Sequence, residues 1–291
     1  MQFVLSSVVS SIRNAQNQDG GWGYRGGASW TEPSAYAMLA LAAAGERGEN
    51  YRRGLAWLAR SQRGDGGWAP NRSVERSTWA TAMAVLVLAD RPDAAALPSA
   101  CGWLLKQSGA ESGYFQRLRD WLLGMSQEES VSYSGWPWYP GASSWVTPTA
   151  LSILALEKAS RGKPDARGRA RIESGRGFLL SRMCLDGGWN QGATRAWGYS
   201  LDSYPETTGL ALLALAGFQQ KGLEKSLRCA EAHLGTCRSA EARSWLEMAL
   251  LAHGRGSATF PKDELPFRSV MDRALFVVAE AAARGRNVLL S

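Results

Sequence analysis

The chain has 291 residues, 33 basic against 26 acidic side chains for a net charge of +7, 32 glycines and four cysteines. Glycine at about 11% exceeds the usual ~7%, but there is no collagen period and no disordered composition, so a large packed core is expected. Cys101, Cys184, Cys229 and Cys237 show neither a disulfide framework nor CxxC spacing and read as reduced thiols, and no DNA- or RNA-binding motif accompanies the charge.

In chain order, residues 1–21 lack the basic n-region and longer apolar run of a secretory signal, and no stretch of about 18 residues is apolar enough to span a bilayer. A cytoplasmic protein is expected, with peripheral membrane contact left open. Then come four turns: Asp19-Gly20-Gly21-Trp22, Asp65-Gly66-Gly67-Trp68, a blurred Tyr133-Ser134-Gly135-Trp136, and Asp186-Gly187-Gly188-Trp189. About a dozen residues after each turn an apolar segment starts, at Pro33, Ala80, Pro148 and Glu206. These segments are apolar nearly all round, as expected of helices buried on most sides. The segments before the turns end in an aromatic followed by aliphatics, such as Trp57-Leu58, Trp103-Leu104-Leu105 and Phe178-Leu179-Leu180, and read as one-sided outer helices. Thr31, Ser77, Thr147 and Ser203, with Pro33, Pro148 and Pro205, are expected to mark the inner helix starts.

The third unit carries an insertion at 109–130, where Tyr114, Leu118, Trp121 and Leu122 at helical spacing predict an extra amphipathic helix. A fifth helix pair at 222–254 lacks the Gly-Trp loop and is joined near Arg238-Ser239, and a last helix at about 269–284 closes the chain. The expectation is an all-α fold of eleven or twelve helices without strands: an α/α toroid of repeated outer-helix, Gly-Trp loop and inner-helix units, one domain over 1–291. A ring is preferred to an open stack, which would expose apolar end helices.

Gln16 and Gln62 each precede the turn tryptophan by six residues, behind a helix with an aromatic-aliphatic ending. This resembles the QW repeat of squalene–hopene and oxidosqualene cyclases, in a superfamily that includes the β-subunits of protein prenyltransferases. The resemblance covers about 10–255, with Met183 in the glutamine position of the fourth unit and a poor match in the third. Structurally, the glutamine would bond backbone at a helix end under the indole, making Trp22, Trp68 and Trp189 loop fasteners.

The resemblance implies an acid at the start of an inner helix. The DxDD motif of class II terpene cyclases is absent; registering its following Thr-Ala step on the repeats places Glu32 and Glu206 where the protonating aspartate would lie, with Trp79 and Thr147 in the other two units. Asp202 is the nearby third acidic candidate. Without an adjacent second acid, epoxide opening or a preactivated substrate is easier than protonating a simple alkene. No cofactor is expected, and no zinc: the family's Asp-x-Cys pair is missing, and Cys229, His233 and Cys237 along one helix span about 12 Å, too far to share one tetrahedral ion. The class I diphosphate–magnesium motif is missing too.

Trp30, Trp79, Trp138, Tyr139, Trp145, Trp197, Tyr199 and Tyr204 precede the inner helices and would line one mouth of a ring, suited to an isoprenoid or a carbocation. The basic run Arg161, Lys163, Arg167, Arg169, Arg171 and Arg176 reads as a solvated helix face, with an anionic headgroup or diphosphate as the other reading. The functional expectation is a terpenoid cyclase-like enzyme starting cyclisation or rearrangement of an isoprenoid or similar apolar chain with acid. The alternative is a non-catalytic toroid binding a lipid-like ligand or a partner protein. Oligomeric state is not legible.

Overall fold

The computed structural model describes residues 2–91, 94–110, 133–196, 199–218, 222–255 and 267–290. The helix expected within 109–130, with Tyr114, Leu118, Trp121 and Leu122, lies almost entirely outside the described residues.

Six inner helices form the core: α2 (Thr31–Ala43), α4 (Ala80–Leu88), α6 (Val146–Ala159), α8 (Pro205–Ala214), α10 (Ala240–Ala252) and α11 (Val270–Ala283). Each packs on the next, and α11 packs back on α2, so the ring closes. Around it stand α1 (Gln2–Asn14), α3 (Glu49–Arg60), α5 (Ala96–Lys106), α7 (Ala166–Ser181) and α9 (Leu223–Thr236). The partition follows from the side chains. All nine residues of α4 are buried, and all of α2 except Glu32, whereas α3 buries only Tyr51, Gly54, Trp57 and Leu58. An all-round Ala/Leu surface gains by losing water on every side, while a helix with one apolar stripe must keep its charged face wet. Small residues also permit close approach: a Cβ on Gly209 of α8 would lie 2.6 Å from the backbone of Trp245 and Leu246 in α10.

The turns explain why the units repeat. Gly20, Gly66 and Gly187 hold φ of 93°, 91° and 97°, a left-handed conformation that favours glycine. Trp22, Trp68, Trp136 and Trp189 are buried, and their indole N–H groups donate to the carbonyls of Ile12, Leu58, Leu104 and Leu179 at 2.7, 2.9, 2.9 and 2.6 Å. These are the last-turn carbonyls of the preceding outer helix, which have no amide four residues on inside that helix. The amides of the same tryptophans donate to hydroxyls inside the inner helices, Ser34, Thr81, Thr149 and Thr208. One tryptophan thus ties the outer helix to the inner one. Gln16 Nε2 donates to the Gly20 carbonyl and Gln62 Nε2 to that of Gly66, as expected. In the third unit Arg171 does this work: it stacks 3.3 Å from the Trp136 ring centroid and donates to the carbonyls of Gln107, Ser134 and Gly135.

Two expectations are corrected. The fold is not free of strands: antiparallel two-residue ladders pair β1 (Trp22–Gly23) with β2 (Ser29–Trp30), β3 (Trp136–Pro137) with β4 (Ser144–Trp145), and β5 (Arg195–Ala196) with β6 (Tyr199–Ser200). Such ladders are too short to show a period in sequence. Nor do Thr31, Ser77, Thr147 and Ser203 cap the inner helices. The caps are Trp30, Trp79, Trp145 and Tyr204, without a side-chain cap bond. The hydroxyls go elsewhere, Ser77 and Ser203 to the turn aspartates, Thr31 to the Ala69 carbonyl and Thr147 to Gln191. Neighbouring units supply the missing acceptors instead: Thr31 N donates to Pro70 O, Trp79 N to Trp138 O and Val146 N to Gln191 O.

Candidate active site at the mouth of the ring

The N-termini of the inner helices divide the mouth into two halves. On α2, α8 and α10 the second helical residue is Glu32, Glu206 and Glu241, and on α11 the third is Asp272. The first turns of α4 and α6 carry no acid, and there the caps are Trp79 and Trp145. One half of the rim is therefore acidic and the other aromatic.

Glu32 and Glu206 stand where the repeat register put them, both half-buried. Glu241 was not among the expected acids, yet its environment is strongly perturbed. Burial, followed by the negative charges of Glu32, Asp272 and Glu206, pushes its carboxyl up to about 7. A helix N-terminus favours the ionised form by only about 0.3–1 kcal/mol, less than the desolvation and like-charge repulsion acting against it. Burial also raises Glu32, partly offset by a hydrogen bond from the Tyr24 phenol, which lies in the turn at Tyr24–Gly26 between β1 and β2. Trp30 stacks edge-on against Tyr24 at 5.3 Å. Asp272 closes a capping box with Ser269, so its role is tied to the start of α11. A carboxyl that keeps its proton near neutral pH can donate it, and neighbouring ionised carboxylates can stabilise developing positive charge.

One turn below Glu32 and Glu241 lie Tyr36 and Trp245, each 3% exposed, with ring centroids 6.1 Å apart. α2 and α10 flank α11 rather than each other, so this pair meets inside the ring and fills it.

The expected aromatics fall into separate groups. Trp79 and Trp138 meet edge-on at 5.0 Å and, with Tyr139, Pro70, Val74 and Arg76, line a cleft of about 460 Å³. Trp145 and Tyr204, 39% and 51% exposed, face a second cleft of about 670 Å³ with Arg182, Asn190, Gln191 and Leu201. Glu206 follows Tyr204 by two residues in the first turn of α8 and does not line that cleft. Tyr199 is 76% exposed on β6, and Trp197 lies outside the described residues. Asp202 is exposed, and its carbonyl accepts a 3.3 Å bond from Asn190 Nδ2, which makes it part of the loop before α8. A third cleft, of about 740 Å³, is basic, with Arg60, Arg63, Arg72 and Arg76 in its wall. The run at 161–176 is only partly a solvated face, because Arg171 is bonded inward and Arg176 pairs with Glu157 at 2.6 Å. No helix among the described residues is long and apolar enough to cross a membrane.

Among the described residues, the structure also gathers a group that local spacing does not. Asp186, Cys229 and His233 offer ligand atoms that all lie within 4.8 Å of one another. Cys237 is not part of this group.

The fold is that of the α/α toroids. Neither a family model nor a curated protein matches this sequence. Among solved structures, the chain is similar to the type II terpene cyclase MstE from Scytonema in complex with geranylgeranyl dihydroxybenzoate, with a TM-score of 0.58 at 18% identity over 96% of this chain and 77% of that one. It is also similar to an alpha-amylase from Clostridium perfringens (TM-score 0.62, 11% identity, 94% and 96% covered). A third likeness is to the endo-beta-1,4-glucanase CMCax from Acetobacter xylinum (0.57, 15%, 97% and 98%). At these identities the shared property is the fold.

Proposed function

We propose that this chain is a terpenoid cyclase-like enzyme that starts cyclisation or rearrangement of an isoprenoid or similar apolar chain by proton transfer at the mouth of the ring. The observation that carries the proposal is the Glu241 carboxyl, raised to about 7 among Glu32, Glu206 and Asp272. Glu241 is the proton donor, and Glu32, held by Tyr24, and Glu206 are the neighbouring carboxyls whose negative charge keeps the proton on it and stabilises a cation once it is gone. The aromatic half of the rim, Trp79, Trp138 and Trp145, receives the chain. Each exposed ring face contributes about 0.5–2 kcal/mol toward a nearby cation.

Several features support this reading. The two aromatic clefts, about 460 and 670 Å³, fall within the ~300–1,000 Å³ of small-molecule sites. The basic cleft shares Arg76 with the Trp79 cleft, which suits a substrate with an anionic head. The Gln-to-Trp spacing adds the resemblance to QW-type repeats, and one similar fold belongs to a type II terpene cyclase. The filled ring argues against a deep squalene-sized chamber and for a shorter or partly exposed chain. Incubation of pure protein with linear isoprenoids, their epoxides and diphosphates, followed by mass spectrometry of extracts, tests the proposal. Conversion that disappears in Glu241→Gln supports it.

A second reading rests on the convergence of several carboxyl groups and on the two carbohydrate-active proteins whose folds match over nearly the whole of both chains. Glycoside hydrolysis needs an acid and a second carboxylate flanking one bond. Cello- and malto-oligosaccharides in the same incubation distinguish the two.

A further inference from the structure

Aligning the four Gly-Trp turns through their contacts with the following outer helix shows one unit that breaks the pattern. Gly20, Gly66 and Gly187 face Arg53, Ser99 and Lys225, so Trp57 of α3, Trp103 of α5 and Cys229 of α9 occupy equivalent positions, each four residues on. In the first two units the indole N–H of Trp57 and Trp103 clamps the turn by donating to Asp19 and Asp65 at 3.0 and 3.1 Å. In the third unit the turn has no aspartate and the helix has Phe178, which has no donor, so both halves of the clamp are lost together. The fourth unit keeps the aspartate, Asp186, but replaces the indole with the Cys229 thiol and, one helical turn on, the His233 imidazole.

The fold does not require this substitution for hydrogen bonding. Asp186 already accepts from Gly188 N at 3.0 Å, Ser203 N at 3.1 Å and Ser203 Oγ at 2.8 Å. The Ser203 hydroxyl in turn lies 2.7 Å from His233 Nε2 and 3.5 Å from Cys229 Sγ, at the centre of the three. Thiol, imidazole and carboxylate are the ligand set of zinc and its neighbours in the first transition row. Their donor atoms, all within 4.8 Å of one another, need to close by little more than about 1 Å to reach the ~3.3–3.8 Å edges implied by tetrahedral bonds of about 2.0–2.3 Å. Asp186 is exposed and the other two are half-buried, so an ion can enter from solvent.

We propose that Asp186, Cys229 and His233 form a zinc-type site, with the Ser203 hydroxyl or a water completing four ligands. The ion takes over the clamp that an indole makes in the first two units. The site lies between a turn and an outer helix, not at the inner-helix starts where the resemblance would place a prenyltransferase zinc. It is independent of the proposed activity, and its test needs no substrate.

The test is titration of reduced, chelator-treated protein with cobalt(II), followed by zinc. One cobalt per chain is expected, with a thiolate-to-metal charge-transfer band and intense tetrahedral d–d absorption, both displaced by zinc. Cys229→Trp, which restores the clamp of the other units, should keep the helical circular dichroism and lose cobalt affinity at least 100-fold. Cys229→Ser and His233→Gln provide the same reading if the tryptophan does not fit, whereas Cys184→Ser and Cys237→Ser should retain the band. The proposal is overturned if cobalt up to millimolar concentration gives no thiolate band. It is equally overturned if the band survives in Cys229→Ser, or is lost in Cys184→Ser or Cys237→Ser.

Discussion

Replacing Glu241 with glutamine tests whether the rim of the ring stores a proton. The Glu241 carboxyl moves from an ordinary value of 4.5 to about 7 on folding, which corresponds to about 3 kcal/mol. Its sign is fixed: a raised carboxyl supports the fold fully below about pH 4.5, and that support is lost as pH climbs through about 7. Because the charges of Glu32, Asp272 and Glu206 contribute to that rise along with burial, about 2–3 kcal/mol should be assignable to this position. Glutamine keeps the shape and never ionises, so Glu241→Gln should match the parent at pH 4.5 and exceed it by that amount at pH 8. At roughly 2 °C per kcal/mol for a chain of this length, its Tm should be about 4–6 °C higher at pH 8. Glu247, also pushed up to about 7 by burial against its Arg243 partner, contributes equally to both proteins and cancels in the difference. Calorimetry across pH 4.5–8 measures it. A Tm difference that does not change with pH would refute the assignment of a buried, proton-retaining carboxyl.

Glu206→Gln removes one of the negative charges that hold the Glu241 proton, so the alkaline limb of the pH–rate profile should move to lower pH; an unchanged limb separates the two residues. Trp68→Phe leaves the Leu58 carbonyl without its indole donor and should cost about 1–2 kcal/mol in chemical denaturation, without any change in substrate KM. Trp79→Ala and Trp145→Ala, at half-exposed rim positions, should raise KM about tenfold for an isoprenoid while Tm stays within a few degrees. Lys158→Met removes the buried ammonium that pairs with Asp90 at 2.8 Å and leaves Asp90 with Arg47 at 3.2 Å, so it should destabilise by about 1–3 kcal/mol in the same denaturation experiment.

The fold was legible because each unit repeats both halves of its signal, a Gly-Trp turn and a helix apolar on all sides. Closure itself is carried by α11 packing on α2, a long-range contact with no local sign beyond the apolarity of the last helix. The site was half legible. Glu32 and Glu206 emerge when the units are registered on their turns, but α10 has no such turn, so Glu241 escaped that register. Counting from the helix start instead finds it, since Ser239 caps α10 and Glu241 is the second helical residue, as Glu32 is in α2 and Glu206 in α8. Asp186 joins Cys229 and His233 only because α9 packs beside the turn more than 40 residues earlier. The helical row of Cys229, His233 and Cys237 is too long to share one ion, and it is the packing of the turn on α9 that puts Asp186 beside the first two. The short β-ladders and the aromatic caps had no sequence signal, because two-residue pairs show no alternation and a helix start beside hydroxyl residues ordinarily favours the hydroxyl as cap.

The most direct measurement of the central claim is turnover of linear isoprenoid epoxides by the wild-type protein and by Glu241→Gln, with products resolved by gas chromatography and mass spectrometry. The account predicts cyclised or rearranged products of unchanged mass from the wild type and none from the variant at equal folded concentration. Full activity in Glu241→Gln, or conversion of oligosaccharides and of no isoprenoid, would contradict it.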